Sequence, residues 1–280
     1  VTEQTRFVAL GDSFTEGVGD IDLRLPNNCR GWADRVAEEL ARHDQTVQYA
    51  NLAIRGRRLQ RIIDEQIEPA LAMKPTLVSF YAGGNDLLMA RLNMAKLMRD
   101  YEDAVRRLKA SGATVLLFTG YNVPLSPLLE PLTLRTAIYN RAIRRIAAQY
   151  QTLLVDYWCF EKFQDPRMWA PDRLHMAAPG HSYMAKKVLE VLGAPHTLQS
   201  PTLAAPRPRT LTENIADDVA WLRRDVGPWF ARRLRGVSSG DRLGPRWPEL
   251  MPVVLPERLG TARALATTTT KAPQLSSRFS

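Results

Sequence analysis

Two periodicities alternate along the first 194 residues. Short apolar runs at 7–10, 47–53, 76–81, 113–118 and 152–155 have the length and composition of buried strands. Between them apolar residues recur every three or four positions, the spacing of helices with one buried face. Trp32, Val36, Ala37 and Leu40 mark the first such helix, opened by Gly31, and Leu59, Ile62, Ile63, Gln66, Ile67 and Ala70 the second, broken by Pro75. Leu97, Tyr101, Ala104, Val105 and Leu108 mark a third, Tyr139, Ala142, Ile143, Ile146 and Tyr150 a fourth, and Met184, Val188, Val191 and Leu192 a fifth. Strands alternating with helices at this spacing predict an α/β fold whose parallel sheet is covered on both faces.

The pattern changes after Gly193. Residues 195–208 are rich in Pro, Ala, Thr and Arg, as expected of a linker, and residues 211–235 read as an amphipathic helix interrupted at Gly227 and Pro228. The expected organisation is a compact unit over 1–194, a linker and amphipathic helical extension over 195–254, and a tail over 255–280 with the composition of a disordered segment.

Composition narrows the function classes. A chain of 280 residues, 45% of them hydrophobic, can bury a full core, and it has no apolar run of membrane length. As written, the chain beginning at Val1 reaches its first strand too soon for a leader, so a cytoplasmic location is expected. Cys29 and Cys159 lack metal-ligand spacing, which points to buried free thiols rather than a disulfide framework or zinc site. The net charge of +9 comes largely from arginines in the helices and the extension, with no platform of interleaved aromatic and basic residues in the first part. A solvated arginine-rich surface is therefore expected, with no nucleic-acid partner. In the extension, Trp221, Leu222, Trp229 and Phe230 among Arg223, Arg224, Arg232, Arg233 and Arg235 fit either docking onto the first unit or contact with an anionic membrane surface.

The chemistry begins at the end of the first strand, in Gly11-Asp12-Ser13-Phe14-Thr15-Glu16-Gly17. A phosphate-binding loop would need Gly-Lys-Ser/Thr after the first glycine and four further residues, and Glu16 stands where that second glycine belongs. A dinucleotide fingerprint starting at Gly17 would need glycine at Asp22, and a nucleophile elbow would need glycine at Thr15. A different kind of serine hydrolase remains open. Its other parts are expected where parallel strands end, because residues distant in sequence converge at that edge. Gly56 follows the second strand, Asn85 the third, and Asp172 with His175 the fifth. A serine hydroxyl needs an imidazole base, and the imidazole needs a carboxylate to hold its tautomer. Ser13, His175 and Asp172 meet that need, while the N–H groups of Ser13 and Gly56 and the Asn85 amide are candidate donors to an oxyanion.

The blocks Gly11-Asp12-Ser13-Phe14, Asn51-Leu52-Ala53-Ile54-Arg55-Gly56, Gly83-Gly84-Asn85-Asp86 and Asp172-Arg173-Leu174-His175 resemble, in order, the four blocks of the SGNH (GDSL-type) hydrolase superfamily. The resemblance implies a flavodoxin-like three-layer α/β/α sandwich with a five-stranded parallel sheet in the order 2-1-3-4-5. It also implies Ser13 as nucleophile, His175 as base, Asp172 as orienting acid, and Ser13, Gly56 and Asn85 as the oxyanion hole. No metal or organic cofactor is expected. Phe14 departs from the family's leucine, and Arg55 stands where a serine often precedes the glycine.

Asp12 and Asp86 each adjoin a turn and read as structural supports. His181 opens a helix without an acid three residues before it and reads as structural too. Arg55 is a candidate substrate contact, whereas Arg58 and Arg61 read as a solvent face. Trp158 and Trp169 wall a substrate pocket or form a core satellite. The expected activity is hydrolysis of small-molecule carboxylic esters with short acyl groups. Carbohydrate O-acetyl esterase activity and a non-catalytic binding protein on the same fold are the alternatives.

Overall fold

A computed structural model describes residues 4–121, 130–203, 221, 223–224 and 237–255 of the chain. Five parallel strands, β1 (Arg6–Leu10), β2 (Gln48–Asn51), β3 (Leu77–Phe80), β4 (Thr114–Phe118) and β5 (Leu153–Val155), lie in the expected order 2-1-3-4-5. Each apolar run became a strand because both faces of the sheet are covered. Phe7 and Ala9 point to one core while Val8 and Leu10 point to the other, so alternation along the strand leaves no polar position.

The helices form the outer layers of this α/β sandwich. Helices α2 (Trp32–His43) and α8 (Ala178–Leu192) pack as a pair on one face, where Trp32, Val36, Met184 and Val188 are wholly buried. The opposite face is covered by α3 (Leu59–Ile62), α4 (Glu68–Ala72), α6 (Met94–Ala110) and α7 (Glu130–Tyr150). Two single turns, α1 (Ser13–Glu16) and α5 (Gly84–Leu87), follow β1 and β3 directly.

The sheet has a sixth strand that the sequence pattern did not suggest. Residues 247–252, expected within the helical extension, form β6 (Trp247–Pro252), which pairs antiparallel with β2 at the sheet edge, Tyr49 opposite Met251. Pro248 and Pro252 are poor helix-interior residues, and a strand tolerates proline where it is the edge. The compact fold therefore draws on the chain well past residue 194. The amphipathic helix expected over 211–235 lies outside the described residues apart from Trp221, Arg223 and Arg224, and the tail over 255–280 lies outside them after Leu255. Among the described residues no helix is long and apolar enough to cross a membrane.

His181 shows how the two helices on one face are joined. It is fully buried, its Nδ1 accepts from the Trp32 N–H at 3.2 Å, and its Nε2–H donates to the Val18 carbonyl at 3.2 Å. Burial pushes its pKa down to about 3, reinforced by the positive charges of Arg35 and Arg246 and only partly opposed by the bond to Val18. The ring is thus neutral and structural. Substituting His181 by Leu strands two backbone groups and is expected to cost about 1–3 kcal/mol at pH 8. Below pH 6.5 the unfolded wild type takes up a proton that the native state does not, so the wild type's advantage shrinks as pH falls toward 3. Urea unfolding of both proteins at pH 8 and pH 4.5 checks this; an unchanged gap would contradict a neutral buried imidazole.

Candidate active site

The loops that follow β1, β2, β3 and β5 share one edge of the sheet, and side chains tie them together. Asp12 ends the first strand. Its Oδ1 accepts from the Phe14 N–H at 3.0 Å, capping the short helix that Ser13 begins. The preceding Gly11 is held from below by Gln66, whose amide exchanges two hydrogen bonds with the Gly11 backbone, 2.8 and 2.9 Å long. Gln66 can reach it because the helical stretch between α3 and α4 widens into a π turn over Ile63–Ile67. Within the apolar stripe of the sequence, Gln66 was the one polar member, and that was its signal.

After β5, the acid and the histidine lie in a loop closed on itself. The Ala170 N–H donates to the His175 carbonyl at 2.8 Å, and Trp169 bridges to Met176. Inside that loop the His175 Nδ1–H donates to Asp172 Oδ2 at 2.6 Å, while the N–H groups of Leu174 and His175 both donate to Asp172 Oδ1 at 3.0 Å. Burial pushes the Asp172 carboxyl up, but the hydrogen bonds and the His175 charge outweigh it and hold the group below the ordinary carboxylate range. Asp172 is therefore ionised across the whole range in which a histidine titrates. The remaining ring nitrogen, Nε2, is left for another partner. His175 lies beside the first loop, its Cβ 3.0 Å from where a side chain on Gly19 would begin.

Asn85 follows β3 and meets both neighbouring loops. Its amide donates to Asp12 Oδ2 at 3.0 Å and to the Arg57 carbonyl at 3.1 Å. Asp12 is buried, which pushes its carboxyl up to about 7 against the Phe14 N–H, the His175 charge and the Asn85 amide. Asp86 accepts from the Leu59 N–H at 2.9 Å and so starts the helix after β2. Both aspartates support turns.

The loop after β2 carries Gly56 at φ +76°, a conformation that favours glycine. Among the described residues neither the Gly56 nor the Ser13 N–H has an acceptor within the protein. Arg55 has a partner that the sequence did not indicate. Its guanidinium grips the fully buried Glu16 through Nε and Nη2 at 2.9 and 2.8 Å, and its own N–H adds a bond of 2.6 Å. Any contact of Arg55 with substrate therefore has to share this ion pair, the side chain being still partly exposed. Arg57 and Arg61 likewise share Glu65 and Asp241.

Of the aromatic residues near the acid loop, Trp169 packs against Tyr121 with ring centroids 4.6 Å apart and donates to the Phe163 carbonyl at 2.8 Å. With Tyr157 and Phe163 it belongs to a ring cluster beneath the loop. Trp158 and Trp169 both remain partly exposed.

Residues 9–183 match the model of the GDSL-like lipase/acylhydrolase family. The chain belongs to that family. This GDSL-like acylhydrolase is 26% identical to the uncharacterised protein YpmR of Bacillus subtilis over 216 residues, covering 68% of this chain and 82% of that one. Among solved structures it is similar to TesA, with a TM-score of 0.56 and 27% identity over 68% of this chain and 98% of that one. It also resembles an acetylxylan esterase of Geobacillus stearothermophilus, with a TM-score of 0.60 and 20% identity over 70% and 98% of the two chains. The GDSL-like fold and family make this an ester-hydrolysing enzyme.

Glu16 had no role in the sequence reading beyond excluding a phosphate loop, yet it joins the turn after β1 to the loop after β2. Its only sequence signal was a charged residue in a glycine-rich turn. Removing the carboxylate leaves Arg55 with a partly buried, unpaired charge, so Glu16→Ala is expected to lose about 3 kcal/mol of stability. Denaturant unfolding of that variant and of the Glu16→Leu/Arg55→Met double variant checks it, the double variant losing less than the single one.

Proposed function

We propose that this enzyme hydrolyses carboxylic esters of short acyl groups through an acyl-Ser13 intermediate. The observation that carries the reading is the Asp172–His175 pair, in which the imidazole Nδ1–H is tied to an ionised carboxylate, at the same sheet edge as Ser13. In this reading His175 Nε2 takes the Ser13 hydroxyl proton as the oxygen attacks the ester carbonyl. The negative charge that develops on the carbonyl oxygen is met by the N–H groups of Ser13 and Gly56 and by the Asn85 amide. Collapse expels the alcohol, which receives the proton from His175. Water then repeats the sequence and releases the acid, regenerating Ser13.

Two further features support parts of this scheme. The N–H groups of Ser13 and Gly56, without an acceptor among the described residues, are donors that an oxyanion could engage. Asn85 is already engaged on Asp12 and Arg57, so one of those bonds must be exchanged or shared when the oxyanion forms. For acyl size, Phe14 beside the nucleophile is packed among Trp32, Tyr81, Phe118 and Tyr157, which fills the space behind Ser13 with rings. That favours small acyl groups. A second reading, removal of O-acetyl groups from carbohydrate, is favoured by the partly exposed Trp158 and Trp169 in the segment leading to the acid loop.

Initial rates on p-nitrophenyl esters from acetate to palmitate, and on an acetylated xylooligosaccharide, test the proposal. Ser13→Ala is expected to abolish turnover, with the wild-type optimum at the short end of the series. Asp172→Asn keeps the shape but holds the wrong imidazole tautomer, and a loss in kcat on the order of 10³ to 10⁴-fold is expected. Undiminished turnover in folded Ser13→Ala would sink the acyl-serine scheme, and preference for the acetylated sugar would select the second reading.

A further inference from the structure

The segment beyond the family-matched region returns to the edge of the sheet that bears Gly56. Ser238 Oγ–H donates to the Arg55 carbonyl at 3.2 Å and accepts from the Gly240 N–H at 3.2 Å. A Cβ on Gly56 would stand 1.9 Å from that hydroxyl, and one on Gly240 would stand 2.1 Å from the Arg55 carbonyl oxygen. The turn is therefore seated directly on the peptide that joins Arg55 to Gly56. It is also anchored there. Asp241 Oδ2 accepts from the Ser238 N–H at 2.7 Å, closing the turn, while its Oδ1 accepts from Arg57 at 3.0 Å and Arg61 at 2.8 Å.

Its position matters because of the geometry of one peptide group. The chain contains no cis peptide among the described residues, so the Arg55 carbonyl and the Gly56 N–H point in opposite directions from one plane. Whatever grips the carbonyl sets the direction of the N–H. A hydrogen bond received by the carbonyl also draws electron density toward oxygen and makes the N–H a stronger donor. On the other side of Arg55, Glu16 fixes both the N–H and the guanidinium. Arg55 is thus clamped from two sides, its N–H and side chain by the turn that bears Ser13 and its carbonyl, the one shared with the Gly56 peptide, by a strap from the far end of the chain.

We propose that the turn over residues 238–241 is a positioning element for the oxyanion hole, in which the Ser238 hydroxyl orients and polarises the Arg55–Gly56 peptide. The inference rests on the reading of Gly56 N–H as an oxyanion donor. Ser238 touches no reacting atom in this scheme; it acts through the peptide. The strap lies on the carbonyl side, so it sharpens the donor without occupying the space in which substrate reacts.

The test uses the full chain with Ser238→Ala and Ser238→Thr, assayed on p-nitrophenyl acetate beside Ser13→Ala, with thermal melting and the amide resonance of Gly56 from glycine-selective ¹⁵N labelling. Ser238→Ala is expected to melt near the wild type and to lose about tenfold in kcat with KM little changed, less than the ~10²–10³-fold lost when a donor itself is removed. The Gly56 amide proton should move upfield as its peptide loses polarisation. Ser238→Thr, which keeps the hydroxyl, should recover most of kcat and the resonance position. A kcat for Ser238→Ala within twofold of wild type, or equal losses in the Ala and Thr variants, overturns the positioning role. Survival of turnover in Ser13→Ala is a separate result, and it removes the acyl-serine reading on which the inference stands.

Discussion

A fully buried carboxylate three residues after Ser13 is the constraint around which this edge of the sheet is built. Glu16 accepts from the Arg55 N–H, from two guanidinium nitrogens of Arg55 and from the Asn27 amide at 3.0 Å. Withdrawing such a group from water costs several kcal/mol, so it is tolerable only with this many charge-assisted bonds in place. The consequence is geometric. The turn that bears Ser13 cannot move relative to the loop that bears Gly56 without breaking a bidentate ion pair in a poorly solvated place. Ser13 and Gly56, the proposed nucleophile and oxyanion donor, are thereby held to one spacing, which is what a developing tetrahedral centre demands.

The same logic extends outward to the strap. Arg246, itself almost wholly buried, donates to the Glu16 carbonyl at 2.9 Å, to the Pro26 carbonyl at 3.1 Å and to Asp34 Oδ2 at 2.7 Å. Asp34 also receives the Gly31 N–H at 2.7 Å at the start of α2. Arg246 therefore completes the polar layer beneath the turn that bears Ser13, and β6 follows it immediately into the sheet edge. Trp221 adds a contact at the acid loop, donating to the Asp172 carbonyl at 2.8 Å with the Arg173 guanidinium 5.1 Å over its ring. The extension thus touches three of the four loops that carry the proposed chemistry, those after β1, β2 and β5.

How legible this was depended on how local each signal is. The five strands could be read because a doubly covered parallel strand is apolar throughout, as in residues 7–10, whereas their order followed from the resemblance of the blocks around Ser13, Gly56, Asn85 and His175 to the SGNH family. The Asp172–His175 pair could be read because three residues separate its members, so one loop decides it. Pairings across the chain had no such signal. Glu16 with Arg55, Ser238 with the Arg55 carbonyl and Gln66 with Gly11 are separated by 39, 183 and 55 residues. Each depends on where the fold brings two segments. Arg55 illustrates the point: nothing beside it in the sequence shows that the buried Glu16 is its partner. β6 was misread because a short strand holding two prolines has neither the apolar run nor the alternation that marks the others.

The family-matched region ends at residue 183, and the strap lies beyond it. It reaches the sheet at the edge formed by β2, the strand whose following loop holds Gly56. An antiparallel strand covers that edge and shields unpaired backbone groups. The chain entering it necessarily passes beside the Arg55–Gly56 peptide, close enough that glycine is required at both 56 and 240. Covering the edge and gripping the loop that holds Gly56 are thus two results of one topological step. The requirement for Gly56 follows doubly, from a left-handed backbone that favours glycine and from a serine hydroxyl that occupies the place of its missing side chain.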